Sequence, residues 1–107
     1  MINIYFSVDS ELSEYEAISK GYRVDVYVEI NGPIYNLRIY TIIRLQQDFE
    51  SEIEANEFYL PDPNIVLVKS ANRLEIINTI NFLYDCDYFS SIKPIDDTDT
   101  MLLTKIQ

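Results

Sequence analysis

The stretch that decides the fold is the segment YRVDVYVEI, from Tyr22 to Ile30. Its alternate residues are apolar, which is the period of a β-strand that has one face in the core and the other in solvent. The residues predicted on the core face are Tyr22, Val24, Val26, Val28 and Ile30. This segment is therefore predicted to be a long, half-buried strand.

A tight turn follows this strand, because the next residues are Asn31, Gly32 and Pro33. Residues 34–43 then return with a similar alternation, so residues 22–43 are predicted to form an antiparallel β-hairpin. Its outer face would carry Tyr27, Arg38 and Tyr40, which can stack across the strands or offer an aromatic contact surface.

The segments before the hairpin predict one strand and one helix. Residues 2–8 alternate between apolar and polar side chains and indicate a first strand. Residues 10–20 favour a helix, in which Ser13 and Glu16 have the spacing of a capping box and Gly21 is placed as the C-cap.

After the hairpin the apolar period becomes helical, since Leu45, Phe49 and Ile53 recur at every fourth position before Pro61. A helix is predicted over residues 44–57, with this apolar stripe packed on the sheet. Its opposite side carries a run of acidic residues.

The second half of the chain predicts two strands and one helix. Residues 64–69 form a nearly continuous aliphatic run, which is typical of a central strand. Residues 72–84 predict an amphipathic helix, and residues 101–106 a last strand.

The side chains predicted to be buried are Leu37, Ile39, Ile65, Leu67, Ile77 and Ile80. Truncating Ile77 to Ala is expected to lower the free energy of unfolding by about 2–5 kcal/mol.

The fold class predicted from these elements is α+β. A chain of 107 residues with 48% hydrophobic residues suits a single domain, residues 1–107, around one core. We expect a two-layer domain with an antiparallel or mixed sheet of four to five strands, covered by the helices near 44–57 and 71–84.

The charge of the chain points to a basic partner. Eighteen acidic and eight basic residues give a formal net charge of −10 at pH 7. Such a field repels nucleic acid and anionic membranes and attracts cationic surfaces. The alternative is that the acidic surface only keeps the protein in solution.

Residues that support catalysis are missing from the sequence. The chain has no histidine, and it contains no phosphate-binding glycine motif and no nucleophile-elbow motif. We therefore expect a protein that is not an enzyme, with no metal site and no cofactor. The single cysteine, Cys86, cannot form an internal disulfide and is predicted to be a buried or half-buried structural residue.

The N-terminal residues have neither a basic leader nor a long apolar run. This pattern favours a cytoplasmic protein without a secretory signal or a membrane anchor.

The candidate partner-binding residues are carboxylates on rigid elements with tyrosines beside them. Aromatic anchors within a charged rim are typical of tight protein interfaces. The candidates are Asp48, Glu50, Glu54, Glu57, Tyr59, Asp62, Tyr84, Asp85, Asp87 and Tyr88. For the acidic surface between Asp48 and Asp62, the alternative is an ordinary solvated helix face with no partner.

The order of these elements resembles that of small acidic immunity proteins from bacterial toxin–immunity systems, including those of contact-dependent inhibition and other polymorphic toxins. The resemblance rests on Tyr22–Ile30 and on residues 37–43 and 64–83. It implies a protein that binds and neutralises one cognate toxin, expected to be a nuclease with a basic groove for phosphates.

Two other functions are compatible with the same charge. One is a nucleic-acid mimic that inhibits a DNA-binding protein, with carboxylates in place of phosphates. The other is a small acidic assembly module that forms a homodimer through the sheet face of Tyr27 and Tyr40. Tyrosine and asparagine interspersed among the acids favour a single fitted patch over the long regular rows that a mimic needs.

Overall fold

The computed structural model describes residues 2–61, 63–95 and 99–107. The elements in chain order are β1 (Ile2–Phe6), α1 (Glu11–Lys20), β2 (Tyr22–Ile30), β3 (Ile34–Thr41), α2 (Ile42–Asn56), β4 (Ile65–Val68), α3 (Arg73–Asp85) and β5 (Thr104–Lys105). Short 3₁₀ helices span Tyr88–Ser91 and Thr100–Leu102. The predicted α+β class is confirmed.

The sheet has five strands in the order β4-β3-β2-β1-β5. The strands β1, β2 and β3 form an antiparallel meander, and β5 pairs antiparallel with β1. The pairing of β3 with β4 is parallel, and α2 connects these two strands. The sheet is therefore mixed, and the predicted hairpin is confirmed.

The prediction that residues 64–69 form a central strand is wrong, because β4 lies at the edge of the sheet. Val66 and Val68 pack against the core, whereas Leu67 lies on the opposite face beside Tyr40 and is 49% exposed. The core face of β4 requires Val66 and Val68 to be apolar, and the exposed Leu67 between them makes the run look like that of a central strand.

A β-bulge interrupts the hairpin at Val24 and Asp25, between the pairs Arg23 with Ile39 and Val26 with Leu37. The extra residue reverses the alternation of side chains along the strand. Arg23 therefore lies on the core face. Tyr22 lies on the other face, so the prediction that Tyr22 faces the core is wrong.

Arg23 is buried, with only 5% of its surface exposed. Its guanidinium lies 3.5 Å from the centre of the Phe6 ring, and Nε donates to Asp25 Oδ1 at 2.8 Å. The ion pair with Glu14 Oε1 is longer, at 3.9 Å, and a further bond goes to the Val8 carbonyl. Burial alone would raise the pKa of Asp25, but hydrogen bonds from Arg23 and Ser7 hold it below its usual value.

The core lies between one face of the sheet and the helices α1 and α3. Its buried residues are Ile4, Phe6, Ala17, Val26, Val28, Leu37, Ile39, Ala71, Ile76, Ile80 and Phe89. The helices α1 and α3 supply Ala17, Ile76 and Ile80, whereas α2 buries no residue. The helix predicted at 44–57 does cover the sheet, but it lies on the face opposite this core.

Of the six predicted core residues, Leu37, Ile39 and Ile80 are buried. Ile65 and Ile77 are only half-buried, and the prediction for them and for Leu67 is wrong. The fully buried residues of α3 are Ile76 and Ile80, four positions apart, and Ile77 packs against the core beside them. This helix is apolar over much of its circumference, so its sequence does not define one buried stripe.

Several predicted boundaries also change. The first strand ends at Phe6, and Thr41 stops β3 because its Oγ1 accepts a hydrogen bond from the Arg44 N–H at 3.3 Å and caps α2. The predicted capping box at Ser13 and Glu16 is wrong, because the box pairs Ser10 with Ser13. The last strand is only two residues long.

The predicted C-cap at Gly21 is confirmed, with a φ of 77°. A Cβ at this position would lie 2.7 Å from Thr41 Oγ1, and only glycine adopts this backbone conformation without strain. We expect Gly21→Ala to lower the free energy of unfolding by about 1–3 kcal/mol. Thermal unfolding followed by circular dichroism would measure the change. As a control, Ser19→Ala at an exposed site of the same helix should change it by less than about 0.5 kcal/mol.

Candidate protein-binding surface

Helix α2 lies over the sheet face that is opposite the core. The guanidinium of Arg44 is stacked over the Tyr22 ring at 4.4 Å, and Tyr22 stacks on Tyr40 with ring centres 5.5 Å apart. Both tyrosines project from the face opposite Val26 and Leu37, Tyr22 because of the bulge in β2 and Tyr40 because of the regular alternation of β3. The side of α2 that carries Arg44 and its ion-pair partner Asp48 therefore faces the sheet.

The predicted apolar stripe of α2 points away from the core. Phe49 is 48% exposed and Ile42 is 60% exposed, while Leu45 and Ile53 are half-buried. The prediction that this stripe packs on the sheet is wrong, because the sheet beneath α2 presents tyrosine rings that bind the polar Arg44 side of the helix.

The exposed stripe forms one wall of a groove of about 390 Å³. Residues 59 to 61 form the other wall, through Tyr59 and Pro61. The Tyr59 ring meets the Phe49 ring edge-on, with the centres 6.4 Å apart. This contact holds the loop after α2 against the helix, and the groove between them is lined mainly by apolar side chains.

Carboxylates lie on both sides of the apolar stripe. A rotation of about 100° per residue places Glu50 and Glu54 on one side of it and Asp48 and Glu52 on the other. Asp48 accepts from Arg44 Nε at 3.1 Å, and Glu52 accepts from Asn56 at 2.9 Å.

The outer row of carboxylates consists of Glu50, Glu54 and Glu57, all of which are exposed. Within the described ranges, these three side chains form no ion pair and no hydrogen bond. Their charge is therefore available to a partner, whereas Asp48 is partly neutralised by Arg44.

Glu57 has a costly backbone conformation. It ends α2 with a φ of 68°, in the left-handed region where glycine is preferred, and its N–H donates to the Ile53 carbonyl at 2.9 Å. The next residue, Phe58, is 65% exposed, and Leu60 is 84% exposed. The end of α2 therefore presents a carboxylate next to two exposed apolar side chains.

The candidates near residue 85 lie elsewhere. Tyr84 and Tyr88 pack against the core on the α3 side of the sheet, and Asp85 and Asp87 are exposed beside them. The structure therefore joins Asp48, Glu50, Glu54, Glu57 and Tyr59 in one surface and separates them from this second group by the sheet. Asp62 lies outside the described residues.

Cys86 is exposed, so the prediction that it is buried or half-buried is wrong. It follows the last residue of α3 and closes that helix, with its N–H donating to the Phe82 carbonyl at 3.0 Å. This position at the end of the helix holds the side chain away from the core.

The groove itself was missed by the sequence prediction, because Leu45 and Phe49 were predicted to pack on the sheet. A signal was present in Phe58-Tyr59-Leu60, three apolar residues directly after an acidic helix and before Pro61. Loops are expected to be polar, so an apolar run at this place indicates a contact surface.

Metal binding and membrane insertion each depend on how side chains and helices are arranged within residues 2–61, 63–95 and 99–107. No group of three or more Cys, Asp or Glu side chains in these ranges is arranged to hold a metal ion. None of the helices in the same ranges has both the length and the apolar character needed to cross a membrane.

Comparisons of the chain with known protein families, with curated proteins and with solved structures give no match.

Proposed function

We propose that the protein binds a basic protein in the cytoplasm and neutralises it, the partner being a toxin of the nuclease class. The observation that carries this proposal is the outer side of α2, an apolar groove beside three exposed carboxylates on a helix that buries no residue. The immunity proteins that the element order resembles supply the expectation of a toxin.

Charge and groove have separate roles in the proposed complex. The net charge of −10 and the outer row Glu50, Glu54 and Glu57 attract a basic surface over long distances and speed its approach. The apolar groove then excludes water around the side chains that enter it, which slows dissociation.

The same surface favours a toxin inhibitor over the two alternatives. A nucleic-acid mimic must offer rows of charge to a polar binding cleft, and an apolar groove adds nothing to that contact. An assembly module that uses the sheet face of Tyr27 and Tyr40 is disfavoured, because Tyr40 is buried near α2.

The proposal is tested with the reading frame upstream of the gene. If that frame encodes a large secreted protein, its C-terminal domain is the toxin to purify. We expect the domain to arrest growth when expressed alone and to be harmless when expressed together with this protein. A toxic domain that neither binds this protein nor is neutralised by it would contradict the proposal.

The decisive variant reverses the charge of the three carboxylates in the outer row. The triple change Glu50→Lys, Glu54→Lys and Glu57→Lys should slow association at low salt by about tenfold or more and remove most of its salt dependence. Stopped-flow association rates across a salt series would measure this. The fold should persist, since all three side chains are exposed.

The control variant makes the same change in net charge on the α1 and α3 side, through Glu11→Lys, Asp85→Lys and Asp87→Lys. It should slow association only slightly, because these carboxylates lie away from α2. If the control slows association more than the triple change in α2 does, the site lies at the end of α3 instead.

A further inference from the structure

We propose that the element bound in the groove is an amphipathic helix of the partner, with an apolar stripe that is flanked on both sides by Lys or Arg. This inference rests on the proposed function in taking the partner to be a basic protein. It adds which structural element of that partner is bound and which side chains bind it.

The spacing of the exposed stripe fits a helix. Ile42, Leu45 and Phe49 stand at positions i, i+3 and i+7, so they form a straight apolar ridge about 10 Å long. A facing helix matches such a ridge with its own side chains at the same spacing. Tyr59 and Pro61 close the far side of the groove and fix where those side chains enter.

The charges fix the flanks of the bound helix. Glu50 and Glu54 border the stripe on one side, and Glu52, which is exposed, borders it on the other. A partner helix that lies along the stripe places its own flanking residues next to the carboxylates on both sides. Basic residues there form charge pairs, whereas acidic ones repel.

A second copy of this chain does not meet that requirement. Another α2 would bring carboxylates against carboxylates. The helix α1 carries Glu11, Glu14 and Glu16 against the single base Lys20, and α3 has Arg73 as its one basic residue. The geometry therefore points to a different, basic protein.

Two synthetic peptides of equal composition test the inference. Both have about 18 residues of Leu, Lys and Ala. In the first, the leucines form one helical stripe with lysines on both sides, and in the second the same residues are scrambled so that no stripe forms. We expect the striped peptide to bind at least about tenfold more tightly, as measured by calorimetry at two salt concentrations, and to gain helical circular dichroism on binding.

Variants of the protein locate the contact. Phe49→Ala should weaken binding of the striped peptide by about tenfold or more, because it removes the largest side chain of the ridge. The matched control is Phe82→Ala, which truncates a similarly exposed phenylalanine on α3 and should leave binding unchanged. Backbone amide shifts in NMR spectra should change at residues 42–49 and 59–60 of the parent protein.

Equal binding of the two peptides, or equal binding by the parent and Phe49→Ala, would overturn the inference, because charge alone would then explain the affinity. If the upstream toxin domain binds through Glu50 and Glu54 while the striped peptide does not, helix recognition fails and toxin neutralisation stands. If the striped peptide binds through Phe49 while the toxin domain does not bind, helix recognition stands and the toxin proposal fails.

Discussion

Replacing Asp25 with Asn is expected to lower the free energy of unfolding at pH 7 by about 1.5–3 kcal/mol, the usual cost of losing a hydrogen bond to a charged group, because Arg23 is buried while Asp25 itself is half-buried. The guanidinium of Arg23 would remain under α1 and against the Phe6 ring, with Glu14 at 3.9 Å as its remaining ion-pair partner. Urea denaturation followed by circular dichroism would measure the loss. Asp85→Asn, at an exposed carboxylate, is the control and should cost less than about 0.5 kcal/mol.

The pH dependence of the same variant checks the cause. Hydrogen bonds from Arg23 and Ser7 hold the pKa of Asp25 below its ordinary value in the folded state. The contribution of Asp25 to the free energy of unfolding is therefore complete above the pKa that this carboxyl has in the unfolded chain. It disappears as the pH falls through the lower pKa of the folded state. The difference between parent and variant should be largest near neutral pH and shrink below about pH 4. A difference that stays constant down to pH 2 would show that the loss comes from packing and not from the ion pair.

Truncating Ile80 to Ala is expected to cost about 2–5 kcal/mol, since this side chain is fully buried between α3 and the sheet and its removal leaves a cavity. Ile77→Ala should cost less, because Ile77 is only half-buried. Phe82→Ala, at an exposed site of the same helix, should change the free energy of unfolding by less than about 0.5 kcal/mol. Equilibrium unfolding of the three variants tests which side of α3 faces the sheet. A larger loss in the free energy of unfolding for Ile77→Ala than for Ile80→Ala would contradict the structure.

Periodicity was sufficient to predict the strand pairing at the centre of the fold. The alternation on both sides of Asn31 and Gly32 defines the hairpin, and the positive φ of both residues is what a two-residue turn needs. The C-cap at Gly21 was also readable, because glycine is the residue that ends helices in the left-handed conformation. These are local features, and local sequence determines them.

The bulge was not predictable from the same pattern. Val24 and Asp25 continue the alternation of the strand without interruption, so the sequence contains no sign that an extra residue is present. Tertiary contacts determine where the bulge forms, because Asp25 binds both Arg23 and the Ser7 backbone. A strict period of two then assigns Tyr22 and Arg23 to the wrong faces.

The candidate site was half predictable for a different reason. An apolar stripe on a helix predicts that the stripe is covered, but it does not say whether this chain or another molecule covers it. The sequence therefore predicted Glu50, Glu54 and Glu57 as partner-binding residues, but it predicted that Phe49 packs on the sheet. Only the position of Arg44 over Tyr22 shows which side of the helix this sheet takes.

The lack of any buried residue in α2 has a consequence for how this protein can evolve. Substitutions along its outward stripe touch no core side chain, so most of them change the stability of the fold by only a few tenths of a kcal/mol. The five-stranded sheet with α1 and α3 can stay constant while this one helix accumulates changes. Related chains would then diverge in which partner they recognise long before they diverge in architecture.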